Sequence, residues 1–454
     1  MGRSEFEQAV ESAASFFSSF SGSVLIVSHI DCDGLAASAI LVKVCEELSR
    51  PYRIMRTREL TDENLKEIAD SSEEFVCFAD MGSTSKERII GFLKNKKKII
   101  IDHHGISAKN SDDENLFELN PKGFEIDERR EISSSGIAWL FANNLIAADP
   151  LLPLALVGAL GDAQEEQGFI GYNEEFLNTA VKEGLMSVKK VLRLFGRETR
   201  PLLKALQYST DIPMKGVTND RDGALNILRS LDIPAMRFSR PVTLETLTEE
   251  ETKELEEVLL SRMDDEVKAR AFWFEYTITD RPRGSATRNL REFSTLMNAC
   301  GRLDDILLGI RICLGDQSAE RLAKEKRNDY RLTINEAKKF IDEHPDSTQI
   351  SKNLMTVDAG NNIAADIAGT IASIFAKSGY ADKDMVVCVM TENDEDSIKI
   401  SLRTASERID LSEMLNAIVE KTGGSCGGHA NAAGAVIPQD AKEMFVELLK
   451  ESVK

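Results

Sequence analysis

Ile99-Ile100-Ile101-Asp102-His103-His104 is the stretch on which the fold of this 454-residue chain turns. Three β-branched residues in succession read as a buried strand. The strand stops at one carboxylate and two imidazoles, just before Gly105. In open α/β sheets ligands bind beyond the carboxyl ends of the strands, where these three side chains project. For the tripeptide alone, a helix-capping Asp beside two surface histidines is an equal explanation. The neighbouring runs decide between them. Val24 to Ser28 ends in His29-Ile30-Asp31-Cys32-Asp33-Gly34, Phe75 to Ala79 ends in Asp80-Met81-Gly82, and Leu151 to Leu160 ends in Gly161-Asp162. Four such endings between residues 24 and 162 argue for one cluster.

Composition narrows the function classes. The length leaves room for two or three domains. A hydrophobic fraction of 42% and a charged fraction of 29% are those of a soluble globular chain. No apolar run reaches the roughly 18 to 20 residues that span a membrane, and Glu5 and Glu7 stand where a secretory leader carries basic and apolar residues. The seven cysteines are scattered, with no Cys-x-x-Cys pair. That argues against zinc ribbons and a disulfide scaffold, and for a cytoplasmic, reducing setting. A formal net charge of −20 opposes an electrostatic nucleic-acid coat. A few phosphates can still be gripped locally, and Arg193 to Arg200 and Arg281 to Arg302 are the basic segments available for it.

In order, the pattern predicts a helix over 4–20, a strand over 24–28, a helix over 35–48, a short strand at 53–56, a helix over 62–69 and a strand over 75–79. A helix near 85–94 and the strand 98–102 follow, so the alternation predicts a mostly parallel sheet covered by helices on both faces. Residues 106–118 read as a polar loop, 134–145 as a helix, and 151–160 as either helix or strand. Beyond about residue 172 the pattern is helical, with Pro-containing breaks over 206–270, a solvated acidic helix at 249–258, and strand character again at 272–279. Residues 318–343 form one uninterrupted helical pattern, about 39 Å long and able to bridge two domains. The expected organisation is a catalytic domain at 1–205, a helical insertion with the remainder of that lobe at 206–315, a bridging helix at 316–345 and a smaller α/β domain at 346–454.

His29, Asp31 and Asp33 alternate, so an extended segment puts all three on one side, with the two carboxylates about 6.5 Å apart. Such a pair suits two metal ions roughly 3.5–4 Å apart, with a carboxylate such as Asp80 bridging them. Imidazole and carboxylate donors without thiolate favour Mn²⁺, with Mg²⁺, Co²⁺ or Zn²⁺ as competitors. The Gly423–Gly434 stretch, which contains His429, lacks the Gly-Lys-Ser/Thr of a nucleotide-triphosphatase loop. It reads as an anion contact or as a tight turn before an Ala-Ala-Gly helix.

Ser28-His29-Ile30-Asp31-Cys32-Asp33-Gly34, Asp80, Asp102-His103-His104 and Asp162 resemble the four motifs of the DHH phosphoesterase superfamily. Gly427-Gly428-His429-Ala430-Asn431-Ala432-Ala433-Gly434 and Ser401-Leu402-Arg403-Thr404 resemble its DHH-associated domain. Asn298-Ala299-Cys300-Gly301-Arg302-Leu303 resembles the RecJ branch, and Arg193 to Pro201 is most similar to archaeal RecJ-like nucleases, a group that includes a GINS-associated nuclease. Ile30 and Cys426 depart from the family pattern.

The resemblance implies an α/β fold: a parallel-sheet DHH domain, a helical insertion, a long bridging helix and a smaller α/β DHH-associated domain. It implies His29, Asp31 and Asp80 around one metal, and Asp33, Asp80, His103 and Asp162 around the other. Asp102 would orient an imidazole and His104 would face the substrate phosphate or leaving group. His429, Arg403, Gly427, Gly428, Arg302 and Asn298 would contact substrate. Three activities fit: a Mn²⁺-dependent single-strand exonuclease acting on DNA or RNA, a phosphodiesterase of short oligonucleotides or phosphoadenosine phosphate, and a replisome scaffold related to the eukaryotic helicase subunit. GINS is the implied partner, through the insertion. A membrane is not. No OB-fold extension of the bacterial RecJ kind is seen, which lowers the expectation of long-footprint DNA binding.

Overall fold

Apolar runs become strands here where helices can cover both of their faces. The computed structural model describes residues 2–107, 113–165, 168–365, 367–377, 385–394, 396–406 and 408–453, with residues 428 and 429 described by backbone alone. It divides into two compact units, Met1–Arg327 and Asn328–Lys454.

The first unit opens with α1 (Arg3–Ser18), β1 (Val24–Ser28), α2 (Cys32–Glu47), β2 (Tyr52–Arg56), α3 (Asp62–Asp70), β3 (Phe75–Ala79), α4 (Lys86–Phe92), β4 (Lys97–Ile101) and β5 (Leu116–Leu119). The five strands form one parallel sheet in the order β2-β1-β3-β4-β5. Period-two alternation sends Val24, Ile26, Phe75, Cys77, Ile99 and Ile101 into one core and Leu25, Val27, Val76, Phe78 and Ile100 into another. β1 and β3 are therefore buried at every position, as in parallel sheets generally. α1 closes the first face, with Phe16 and Phe17 packed on Phe75.

β5 corrects the expectation that 106–118 is loop throughout. Among its residues only Leu119 is fully buried, so the alternation that marks a strand is nearly silent at this edge. Residues 108–112 of that stretch lie outside the described residues.

α5 (Ser134–Asn143), α6 (Leu152–Gly161) and α7 (Gly171–Lys182) follow. α6 settles the helix-or-strand ambiguity, with Pro153 in its first turn, where a missing N–H costs nothing. β6 (Met186–Leu192) was not expected: the exposed pair Lys189-Lys190 breaks its alternation. Next come α8 (Leu202–Gln207), α9 (Arg221–Ser230), β7 (Met236–Arg237), β8 (Arg240–Pro241), α10 (Glu249–Ser261), α11 (Asp265–Ala269) and β9 (Phe272–Ile278). β6 pairs antiparallel with β9 and the segment between them has its own core, including Leu206, Val217, Leu228 and Leu259. α12 (Leu290–Arg302) and α13 (Ile306–Cys313) return to the main core. α14 (Gln317–Glu343) is the long helix, and the boundary between the units falls within it.

The second unit continues with β10 (Thr348–Ile350), β11 (Leu354–Gly360), α15 (Ala368–Lys377), β12 (Val386–Asp394), β13 (Ser397–Thr404), α16 (Leu411–Thr422), β14 (Ser425–His429), β15 (Ala432–Pro438) and α17 (Lys442–Ser452). Its sheet runs β10-β11-β12-β13-β15-β14. The glycine-rich stretch is the β14–β15 hairpin, so Ala432-Ala433-Gly434 is strand and not the start of a helix. Gly423 and Gly424 make the turn out of α16 at φ +77° and +106°, a region that suits glycine alone.

Candidate metal centre

Three adjacent strands of the first sheet end level with one another. Ser28, Ala79 and Ile101 are in register, and pairing runs one residue further, with the N–H of His29 donating to the Ala79 carbonyl and that of Asp80 to the Ile101 carbonyl. His29, Asp80 and Asp102 to His104 therefore leave the sheet side by side. The strand order reverses between β1 and β3, the place where open α/β sheets form a ligand crevice. Asp162 arrives at the carboxyl end of α6. The backbone is forced at two of these points: Asp80 has φ +65° and Ala163 φ +58°, a conformation that costs non-glycine residues of order 1 kcal/mol or more.

His29, Asp31 and Asp80 bring ligand atoms within 4.8 Å of one another, as do Asp33, His103 and Asp162, and also Asp80, His103 and His104. Asp80 divides its oxygens between these groups. Its Oδ2 lies 3.1 Å from His29 Nδ1, while its Oδ1 lies 3.6 Å from both His103 Nε2 and His104 Nδ1. His103 Nδ1 donates to the Glu128 carbonyl at 2.9 Å. With Nδ1 so engaged, Nε2 is turned towards Asp33, Asp80 and Asp162. His104 Nδ1 is held 2.8 Å from Asp102 Oδ1, and its ring is half-exposed.

Asp31 corrects the extended-segment reading of His29-Asp31-Asp33. Its Oδ1 caps α2 by accepting from Gly34 N at 3.1 Å, so the helix starts at Cys32 and Asp33 lies in the first turn. Asp33 is fully buried against the amino end of α5, where its carboxylate accepts from Ser133 Oγ at 2.7 Å, Ser134 N at 2.7 Å and Ser135 N at 3.0 Å. Ser134 Oγ donates to Asp80 Oδ1 at 2.9 Å. The sequence reading missed these three serines. Their only signal was a serine run opening a helix, which is commonplace.

The electrostatics suit a multivalent cation. Burial and the charges of Asp31, Asp33 and Asp162 push Asp80 well above the usual carboxylate range. Burial and Asp33 raise Asp162 to about 6. Burial alone would lower His103, but the surrounding carboxylates raise it to about 11. For Asp31 burial is outweighed by His29, and its pKa falls to about 2. His103 Nε2 and Asp162 Oδ2 stand 3.1 Å apart, yet they are misaligned for a hydrogen bond and both are buried without a partner. Orphaned donors converging with like charges fit divalent ions held by oxygen and imidazole nitrogen.

Other expected residues divide. Arg403 on β13 donates to Ser373 Oγ at 3.0 Å and to the carbonyls of Leu402 and Ala433. It has no carboxylate among its described partners. Arg302 ends α12 and is exposed, and Gly427 is exposed on β14. Gly428 lies on β14 opposite Ala433, and the His429 side chain lies outside what is described. Asn298 points at the loop that carries His29 and Asp31: its Oδ1 accepts from Cys32 N at 3.0 Å. The two basic segments are largely consumed internally. Arg197 pairs with Glu245 and Glu275, Arg288 with Glu198, and Arg291 with Glu165.

Residues 23–159 match the model of the DHH family N-terminal domain, residues 194–270 that of the DHH-CID domain and residues 351–454 that of the DHHA1 domain. The uncharacterized protein MJ0831 of Methanocaldococcus jannaschii is 25% identical over 443 residues, 95% of this chain and 93% of that protein. Exonuclease RecJ, solved with manganese bound, has a TM-score of 0.60 at 16% identity, covering 98% of this chain and 94% of that one. CDC45 from Entamoeba histolytica has a TM-score of 0.68 at 12% identity, covering 100% and 99%. At such identities the likeness to the solved structures is one of fold. No helix among the described residues is long and apolar enough to cross a membrane. The three domains of one architecture occur here in sequence, and the chain belongs to the DHH phosphoesterase superfamily with a RecJ-like fold.

Proposed function

We propose that the protein is a Mn²⁺-dependent exonuclease that hydrolyses single-stranded DNA, or RNA, from an end. The observation that carries this is Asp80, a buried carboxylate whose two oxygens serve different donor groups, as a bridging ligand must. His29, Asp31 and Asp80 would hold one ion; Asp33, Asp80, His103 and Asp162 the other. Ions held there would supply Lewis acidity to a phosphodiester and lower the pKa of a water. His104, fixed by Asp102 at one ring nitrogen, presents the other to the leaving oxygen. Ser134 keeps Asp80 turned so that both oxygens stay available, and Arg403 takes a substrate phosphate. The manganese-bound RecJ structure supports the choice of metal, with Mg²⁺ or Co²⁺ as substitutes.

The CDC45 likeness spans all of this chain, and it favours a second reading in which the protein also serves a replication or repair assembly. The insertion between β6 and β9, with a core of its own, is then the surface for GINS. One experiment tests the nuclease reading. End-labelled single strands of several lengths, DNA and RNA, are incubated with Mn²⁺ and, in parallel, with a chelator. Stepwise shortening that the chelator stops is expected. No hydrolysis of any length would leave the scaffold reading alone, and hydrolysis of only the shortest oligomers would mark a small-substrate phosphodiesterase.

A further inference from the structure

We propose that Asn298 and Gly301, on one face of α12, are positioning residues that hold the loop bearing His29 and Asp31. The proposal rests on the metal-centre reading but not on the nature of the substrate.

The loop is short and demanding. β1 ends at Ser28 and α2 begins at Cys32, so two of the three linking residues carry donor atoms. Inside the loop, Asp31 spends one oxygen capping α2 and turns the other towards His29 at 3.0 Å. Gly34 allows this tight return, since a Cβ there would stand 2.7 Å from His29 Cβ and 2.8 Å from its carbonyl oxygen.

From outside, α12 closes the loop. Asn298 Oδ1 accepts the N–H of Cys32, one of the amino-terminal donors of α2 that no helical carbonyl can reach. Three residues on, and so on the same face, Gly301 lies directly against the Ile30 carbonyl, with no room for a Cβ. One turn earlier, buried Ser294 approaches Gly161, the residue before Asp162. The helix is itself anchored. Glu292, in its first turn and buried, accepts from the backbone N–H of Glu198 at 2.6 Å and of Thr199 at 3.1 Å. The loop thus takes its position from a rigid element tied to the start of the insertion. The Asn298 carbonyl oxygen is committed to the backbone beside a candidate metal ligand, which ties this side chain to the loop.

The test titrates the full chain with Mn²⁺ alone, by calorimetry and electron paramagnetic resonance, and measures kcat and KM on an end-labelled single strand. Three variants are compared: Asn298→Ala, Asn298→Asp and Gly301→Ala. Loss of a residue that orients metal ligands costs about 10- to 100-fold in affinity or rate. Asn298→Ala and Gly301→Ala should therefore lose that much at one of two Mn²⁺ sites and in kcat, with KM nearly unchanged. Asn298→Asp keeps the acceptor oxygen and should rescue both. The opposite pattern overturns the proposal: Mn²⁺ binding intact in Asn298→Ala, and KM raised in Asn298→Asp because a carboxylate now faces a polyanion. If Asn298→Ala does not fold, the Asp and Gly301 variants decide by the same readouts. Normal Mn²⁺ binding without nuclease activity would refute the proposed substrate, while the titration would still judge the loop.

Discussion

Gly158→Ala puts the centre under the smallest chemical change available. Gly158 lies inside α6, so helix propensity alone favours alanine by about 0.8–1 kcal/mol. The site reverses that sign. A Cβ at 158 would overlap Ser135 Oγ and Asp33 Oδ1 and stand 2.9 Å from Ser135 Cβ. Asp33 cannot step aside, because it is fully buried and accepts from Ser133 Oγ, Ser134 N and Ser135 N. Overpacking a filled interior costs about 1–3 kcal/mol, and loss of one bond to a charged acceptor costs about 1.5–3 kcal/mol more. Even the low ends together exceed the propensity gain. The expected net loss is about 1.5–5 kcal/mol, seen by calorimetry as a Tm lowered by several degrees. Asp33 displaced by about 1 Å should cost on the order of 100-fold in kcat, with weaker Mn²⁺ binding. A variant as stable as its parent, with full metal affinity and turnover, would refute the close packing of α6 on the ligand.

Four shorter tests follow from the same geometry. Asp80→Ala should abolish hydrolysis and lower bound metal by elemental analysis, since both donor groups lose a member; normal turnover with two metals retained contradicts the bridge. Ser134→Ala leaves every candidate ligand in place but frees Asp80 Oδ1, so kcat should fall about 10-fold or more, beside a stability loss of about 1.5–3 kcal/mol for the deleted bond, and equal kcat would remove the serine from the mechanism. Arg403→Ala should raise KM by about 10- to 150-fold, the equivalent of 1.5–3 kcal/mol, with metal content unaltered; metal loss would tell against a substrate role. Glu275, buried beside Arg197, has its pKa raised by burial from 4.5 to about 7, with Glu245, Glu198 and Glu292 adding to the shift and Arg197 opposing it. The folded state then holds this proton more tightly than the unfolded chain, so stability is lost as pH climbs from 4.5 through about 7. Glu275→Gln should remove that loss, and its Tm relative to the parent should grow from pH 5 to pH 8. A pH-independent difference would show that Glu275 does not carry it.

Local pattern was enough for the first four strands of the first sheet and for most of the carboxylates and imidazoles gathered at their ends. His29, Asp80 and Asp102 to His104 follow directly on strands whose apolar runs are continuous, and a strand end is a local property of the chain. The RecJ-like architecture was legible for the same reason, through motifs that sit at those ends. Elements without a continuous run were not legible: β5 buries little beyond Leu119, and Lys189-Lys190 interrupts β6. Orientation was not legible either. Alternation placed Asp31 and Asp33 on one side, but the Asp31 cap starts α2 at Cys32 and delivers Asp33 to serines 100 residues further along the chain. The basic segments looked ready for phosphates, and only the folded chain brought Glu165, Glu198, Glu245 and Glu275 to meet their arginines. Asn298 likewise reaches Cys32 across 266 residues. Strand runs and caps are short-range and can be read along the chain; charge neutralisation and the backing of a ligand loop depend on partners that meet only when the chain folds.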